Sequence, residues 1–318
     1  MSEAKILVGD VRQRLSDIAD GSVQCCVTSP PYWGLRDYGH DGQIGLEQTP
    51  DEYVAEMVGV FREVWRVMSD DGVLWLNIGD SYSGSGKGPA GNLGSNHNER
   101  HMEHKHSAIV PAGLKPKDLV GIPWRLAFAL QADGWYLRQD IIWAKPNPMP
   151  ESVSDRCTKA HEYVFMLTKS ARYYFDNQAI KEPSANLGIT KIKFGGTKYG
   201  DSDDPKHATK SGNEYTDSGT RNKRDVWTIN TKPFKGAHFA VMPEALVEPC
   251  VLASSRPNDL VLDPFTGSGT VAVVALKHGR NFIGTELNPE YAEIAKNRIQ
   301  TSQPMFNEVN VDFVTPLV

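Results

Sequence analysis

Residues Leu260–Leu287 read LVLDPFTGSGTVAVVALKHGRNFIGTEL. An apolar run ends at Asp263-Pro264-Phe265, a turn carrying Gly267 and Gly269 follows, then a helix-length apolar stretch, then a second apolar run that closes on Glu286. Strand, glycine turn, helix and strand in that order form a βαβ unit, and its two strands must run parallel. Such a unit presents small adenosine-containing ligands at the carboxyl ends of its strands, where glycines let backbone N–H groups approach closely. An acidic residue closing the second strand, here Glu286, can take both hydroxyls of a ribose.

The type of ligand follows from what the turn lacks. G-x-G-x-x-G is absent, since Thr270 and apolar residues follow Gly267-Ser268-Gly269, and no Gly-Lys-Ser/Thr of a phosphate-binding loop is present. Asp263 at the strand end would repel a pyrophosphate. It suits an amine-bearing ligand, such as the methionine part of S-adenosylmethionine.

Working outward, the same alternation extends through most of the chain. KILVGD (5–10), VRQRLSDIADGS (11–22) and VQCCVTSPPY (23–32) read as strand, short helix and strand. DEYVAEMVGVFREVWRVM (51–68) has Tyr53, Met57, Val60, Phe61, Val64 and Met68 at helical spacing, with DDG at 70–72 as its stop and VLWLNIGD as a buried strand. DLVGIPWRLAFALQADGW reads as a helix and YLRQDIIWAKP as a strand. HEYVFMLTKS and ARYYFD read as a further strand pair. MPEALVEPCVLASS is a helix ahead of the βαβ unit, and NPEYAEIAKNRIQ a helix after it. The fold class is therefore α/β, a mostly parallel, doubly wound sheet.

Two segments break the pattern. Residues 81–118 collapse into Gly, Ser, Asn and His, as expected of a long loop or flexible insertion. His97, His101, His104 and His106 lie there without a cysteine, which fits a solvated loop better than a metal site. Residues 181–225 are rich in Gly, Ser, Thr, Asn and Lys. From Lys181 to Arg224 there are nine Lys/Arg against six Asp/Glu, inside a chain of net charge −5. An acidic balance argues against an overall basic coat but leaves room for a local basic groove.

The 318 residues, 40% apolar and 23% charged, have ordinary globular composition. No stretch approaches the roughly 18 apolar residues of a membrane span, and MSEAKILVGD does not resemble a secretion signal. Cys25, Cys26, Cys157 and Cys250 form no framework spacing, which favours a reduced, cytoplasmic setting.

The second distinctive stretch is Thr28-Ser29-Pro30-Pro31-Tyr32-Trp33. Two prolines lack donors and fix φ, so an apolar strand ends here in a rigid corner. With DPFTGSGT at the other end of the chain, this corner resembles the amino-group DNA methyltransferases, which modify the exocyclic nitrogen of cytosine or adenine. Catalytic motif, variable region and then cofactor motif is that family's beta arrangement. The resemblance covers about 1–80, 119–175 and 226–300.

The resemblance implies a Rossmann-like fold dependent on S-adenosylmethionine. It divides the chain into a catalytic half (1–80 and 119–180) interrupted by the insertion 81–118, a target-recognition region (181–225) and a cofactor-binding half (226–318). Ser29, Pro30, Pro31 and Tyr32 would form the catalytic corner. Asp263, Phe265, Thr266, Gly267, Gly269 and Thr270 would line the cofactor pocket, Glu286 would hold the ribose and Asp10 would contact the adenine ring. HFAVMPEALVEPCVLASS resembles the helix cradling the methionine end, through His238, Phe239 and Pro243. No metal is implied. Apart from the resemblance, the position of Trp33, Arg36 and Tyr38 just after the corner suits a base-flanking lid, with core packing an equal alternative for Trp33.

The resemblance also implies a site-specific enzyme acting on double-stranded DNA. It allows a homodimer and a cognate restriction endonuclease as partners. Ser29 before Pro-Pro-Tyr favours the N4 amine of cytosine. Adenine N6 remains the alternative, ahead of an RNA or protein-amide methyltransferase and a catalytically silent DNA-binding protein. Pro249-Cys250 could suggest carbon-5 chemistry, but it sits in an apolar helical pattern, so Cys250 reads as a packed residue.

Overall fold

The computed structural model describes residues 2–35, 39–40, 42–84, 110, 113–184, 190–192, 214–216, 219–231, 241–302 and 311–314. The chain forms two compact units, one of 1–176 with 225–318 and one of 177–224.

The larger unit holds β1 (Ala4–Val8), α1 (Val11–Arg14), β2 (Val23–Thr28), α2 (Pro50–Val67), β3 (Met68–Ile78), α3 (Ile122–Ala132), β4 (Tyr136–Ala144) and β5 (His161–Thr168). Among its described residues, the smaller unit holds four short strands, β6 (Glu182–Pro183), β7 (Thr190–Ile192), β8 (Glu214–Thr216) and β9 (Thr220–Arg221). They pair as the antiparallel ladders β6–β9 and β7–β8. Glu182 accepts from Arg221 at 2.8 Å and from Arg224 at 2.6 Å. The larger unit resumes with β10 (Val226–Thr228), α4 (Glu244–Ser254), β11 (Leu260–Asp263), α5 (Thr270–Lys277), β12 (Asn281–Glu286), α6 (Pro289–Ser302) and β13 (Val311–Val314).

Among the described residues, nine strands make one sheet in the order β10-β4-β5-β3-β2-β11-β12-β1-β13. All neighbours are parallel except β5, which runs antiparallel to both β3 and β4. Burial on both faces explains the near-continuous apolar strands. Alternate residues Cys26, Leu74, Leu76, Phe165, Leu167 and Leu262 join one core with α1, α2 and α3. Their neighbours Cys25, Val73, Trp75, Met166 and Val261 are buried as well. On that second face Trp75 Nε1 donates to Ser254 Oγ of α4 at 2.9 Å. The expected doubly wound, mostly parallel sheet is what the chain adopts.

Three local expectations need correction. The helix α2 ends at Val67, and β3 starts at Met68, so Asp70-Asp71-Gly72 lies within a strand. Burying Met68 against Val23 of β2 outweighs the turn chemistry of that tripeptide. ARYYFD (171–176) is not a strand. Its backbone is satisfied singly, Tyr174 N by Asp71 O and Asp176 N by Ala253 O, while Phe175 covers Trp75 at 6.4 Å between ring centroids. The helix read from 118–135 is trimmed to α3, because Gly121 takes a left-handed φ of 79° immediately before it.

Candidate active site

The sheet order puts β2 beside β11, with Cys25 against Val261 and Cys26 against Leu262. Residues 235 positions apart thereby become hydrogen-bonded at the strand ends. Thr28 Oγ1 donates to Asp263 Oδ1 at 2.7 Å, and both residues are buried. A cavity of about 880 Å³ opens over the carboxyl ends of β1, β2, β3, β11 and β12. That is the position at which doubly wound sheets take ligands, and the volume lies within the ordinary range of small-molecule sites.

Of the expected residues, Asp10, Ser29, Pro30, Pro31, Tyr32, Asp263, Phe265, Thr266, Gly267, Thr270 and Glu286 all line this cavity. Gly269 does not. Its φ of 76° lets the turn enter α5, and a Cβ there would meet Ala295 Cβ of α6 at 3.0 Å, so it serves helix packing. Pro243 caps α4, and the cavity wall from that segment is Val241 and Met242. His238, Phe239, Arg36, Tyr38 and the four histidines of the 81–118 insertion lie outside the described residues.

On the glycine-turn side, Glu286 Oε2 accepts from Gly267 N at 2.8 Å and Oε1 from Asn288 N at 2.9 Å. Burial pushes its carboxyl up despite these bonds. Asp263 Oδ1 accepts from both Thr28 Oγ1 and Phe265 N. Burial outweighs these bonds and lifts Asp263 to about 7. A carboxylate has about four acceptor positions, so both acids keep capacity for a ligand. Asp10 caps α1 and holds Arg12 through Nε and Nη2. Its own burial would raise its carboxyl, but the bonds to Arg12 together hold it below the usual carboxylate range.

On the proline side, Pro30 is buried and Ser29 half-buried. Tyr53 Oη of α2 donates to Pro31 O at 2.9 Å, bracing the corner from below. Ser29 Oγ donates to Tyr32 Oη at 3.5 Å, and Tyr32 Oη to Glu162 Oε2 at 2.9 Å. Glu162 also takes Asn77 Nδ2 at 3.3 Å and an ion pair from Lys145 Nζ. Burial first, and then the Glu162 charge, push the Tyr32 phenol well above its ordinary value. A Cβ on Gly79 would sit 2.7 Å from Tyr32 Cε2, so glycine there gives the ring its place. Trp33 is half-buried against the core, with Nε1 donating to Glu47 O at 2.9 Å.

Glu162, Lys145, Asn77 and Gly79 carry no local signal in the sequence, and the spacing that marks Tyr53 as buried does not give its partner. Strand order and helix packing bring Glu162 and Gly79 to Tyr32, Tyr53 to Pro31, and Asn77 and Lys145 to Glu162. A lining lysine, Lys159, donates to Asp80 O at 2.6 Å, and desolvation lowers its ammonium. Cys25, Cys26 and Cys250 are buried. Burial lifts the Cys25 thiol to about 12. No group of three metal-ligating side chains occurs among the described residues.

Comparison with known proteins gives the family and the fold. The family model described as DNA methylase matches residues 23–297. The Type II methyltransferase M.Cfr9I of Citrobacter freundii is 49% identical over 94% of this chain and 89% of its own length. M.SmaI of Serratia marcescens, also a Type II methyltransferase, is 49% identical over 94% of this chain and 91% of its own. In fold, the chain is similar to TTHA0409 of Thermus thermophilus, solved with S-adenosyl-L-methionine, at a TM-score of 0.61, 23% identity and 99% coverage of both chains. It is equally similar to the cytosine-N4-specific PvuII DNA methyltransferase, at a TM-score of 0.61, 19% identity and coverage of 95% and 92%. The chain belongs to the N6/N4 family of DNA methylases.

Proposed function

We propose that this DNA methyltransferase moves a methyl group from S-adenosylmethionine to the N4 amine of a cytosine extruded from duplex DNA. The observation that carries the reading is the hydrogen bond between Thr28 and Asp263, which makes the proline corner and the glycine turn two walls of one cavity. The residues present fit the cofactor. Asp263 offers a buried carboxylate to its amine, and Glu286 offers acceptor positions to ribose hydroxyls. Gly267, at φ 51°, brings backbone to the cavity wall. When bound, the cofactor supplies an electrophilic methyl on sulfur.

The chain's own residues then act on the amine. Its lone pair is delocalised into the ring, which makes it a poor nucleophile. Ser29 Oγ and the carbonyl of Pro30 accept its two hydrogens and draw the nitrogen toward sp³. Two prolines hold that carbonyl direction in advance, a form of electrostatic preorganisation. Tyr32 offers its face to the extruded base, a stacking contact worth about 1–3 kcal/mol. A base paired in a duplex cannot reach such a corner, so it must be flipped out. Direct in-line transfer then needs positioning alone.

Ser29 in place of an acidic or amide side chain favours cytosine, and 181–225 is the segment we assign to target recognition. Labelled methyl transfer to unmethylated duplex DNA, followed by nucleoside analysis, tests both the transfer and the base. N4-methylcytosine is expected, and N6-methyladenine would replace the base assignment. Ser29→Ala and Tyr32→Ala should bind S-adenosylmethionine normally while turnover falls at least about a hundredfold, or about 2.7 kcal/mol. Full activity in either variant would remove the corner from catalysis.

A further inference from the structure

Methylation leaves a proton to be disposed of. When the amine nitrogen takes the methyl, the S–CH₃ electron pair stays on sulfur, and the nitrogen carries a positive charge and two hydrogens. One proton must leave for the lone pair to rejoin the ring. Ser29 is a hydroxyl, not a carboxylate, so it cannot hold that proton as a base.

The bonds around Ser29 lead from the corner to a carboxylate. Ser29 Oγ donates to Tyr32 Oη, and Tyr32 Oη donates to Glu162 Oε2 at 2.9 Å. Both bonds point the same way, from the corner to a carboxylate. Because Ser29 spends its one hydrogen on Tyr32, both of its lone pairs are available to the substrate amine. The first step is long, at 3.5 Å. Bonds used in catalysis often tighten only around the bound substrate. Glu162 is held in place by Asn77 and by Lys145, whose ammonium lies 4.1 Å from the centre of the Trp143 ring. The Glu162 and Lys145 side chains are each 16% exposed, so the acceptor is screened from bulk water yet not sealed from it.

We infer that Ser29, Tyr32 and Glu162 form a proton relay that carries the amine proton away from the methylated base. The nitrogen's proton passes to Ser29 Oγ as the Ser29 hydrogen passes to Tyr32 Oη and the Tyr32 hydrogen to Glu162 Oε2. Each hydroxyl ends with one hydrogen, Glu162 becomes neutral, and the methylated amine becomes neutral. The step is downhill, since a protonated ring amine is a far stronger acid than a carboxyl group. Glu162 returns its proton to solvent after product release. The inference rests on the reading of Ser29 as acceptor for the substrate amine.

The test uses single-turnover methylation of duplex DNA by the full chain with Tyr32→Phe, Glu162→Gln and the double variant. Base extrusion is followed by 2-aminopurine fluorescence at the target, and cofactor binding by calorimetry. Gln keeps a carbonyl to accept from Tyr32 Oη but cannot take up a proton, so positioning survives and the sink is lost. Each single variant should slow the methylation step at least tenfold with extrusion and cofactor binding intact, and the double variant should be no slower than the worse single. A Glu162→Gln rate within twofold of wild type overturns the relay. So does a slow Glu162→Gln variant that has also lost the extrusion signal, since Glu162 then only positions Tyr32. Multiplicative losses in the double variant overturn it too. Ser29→Ala separates the two levels: if it stays active the corner reading fails, and if it is inactive while Glu162→Gln is normal only the relay fails.

Discussion

Asp263 lies at the meeting point of the two motifs, and its burial makes it a titrating group near neutrality, at about 7. Its folded value is raised above that of an exposed aspartate, so the stability it contributes is fully present below about pH 4 and is lost as pH rises through 7. Cofactor binding should show the opposite sign. The ionised form attracts an ammonium group, so affinity for S-adenosylmethionine should rise roughly tenfold between pH 6 and pH 8 for one such group. Asp263→Asn keeps an acceptor for Thr28 but should weaken binding and flatten this dependence. Calorimetric titration across that range measures both, and a flat wild-type profile would show that Asp263 does not meet the amine. At this scale much of the site was legible, because Asp263, Glu286 and Ser29 stand in short motifs whose neighbours fix their backbone. Gly269 was legible as a necessary glycine but not as a packing one, since Ala295 approaches it from a helix the turn does not encode.

Among the elements, α2 shows how packing completes a site that motif reading leaves half drawn. Its face Tyr53, Met57, Val60, Phe61 and Val64 is readable from spacing, and Thr49 with Glu52 forms a capping box at its start. The spacing says that Tyr53 is buried. It does not say that its hydroxyl ends 2.9 Å from the carbonyl of Pro31, because that depends on where the helix lies on the sheet. Tyr53→Phe should leave that carbonyl without its donor and lower stability by about 1–3 kcal/mol. Turnover should fall by more than S-adenosylmethionine affinity changes, as read from denaturant unfolding, kcat and calorimetry together. Equal turnover in Tyr53→Phe would mean the prolines hold the corner unaided. Glu162 was illegible for the same kind of reason. It faces Tyr32 only because β5 runs antiparallel beside β3, pairing Asn77 with Val164, and no local pattern encodes that partner choice.

For the whole molecule, the question is how a chain of net charge −5 engages a polyanion. Association with duplex DNA is dominated by phosphate neutralisation, and affinity falls with salt in proportion to the number of phosphates engaged. The segment Lys181–Arg224, with nine Lys/Arg against six Asp/Glu, is a local exception to the acidic balance. It also forms most of a compact unit of its own, 177–224, whose described residues include two short antiparallel ladders. A separate unit can change its sequence without disturbing the core that holds the cavity, which is what variable target recognition requires. Not all of its charge is available for DNA, since Arg221 and Arg224 both pair with Glu182. Exchanging 181–225 for the corresponding segment of a methyltransferase with a different target should therefore transfer the recognised sequence while S-adenosylmethionine affinity stays within about twofold. Methylation-aware sequencing of DNA from cells expressing the exchanged chain reads the first outcome, and calorimetry the second. A companion variant with the remaining lysines of the segment neutralised should show a shallower dependence of log affinity on log salt, by about 0.9 for each phosphate no longer neutralised. An unchanged recognition sequence together with an unchanged salt slope would move DNA reading out of this unit altogether.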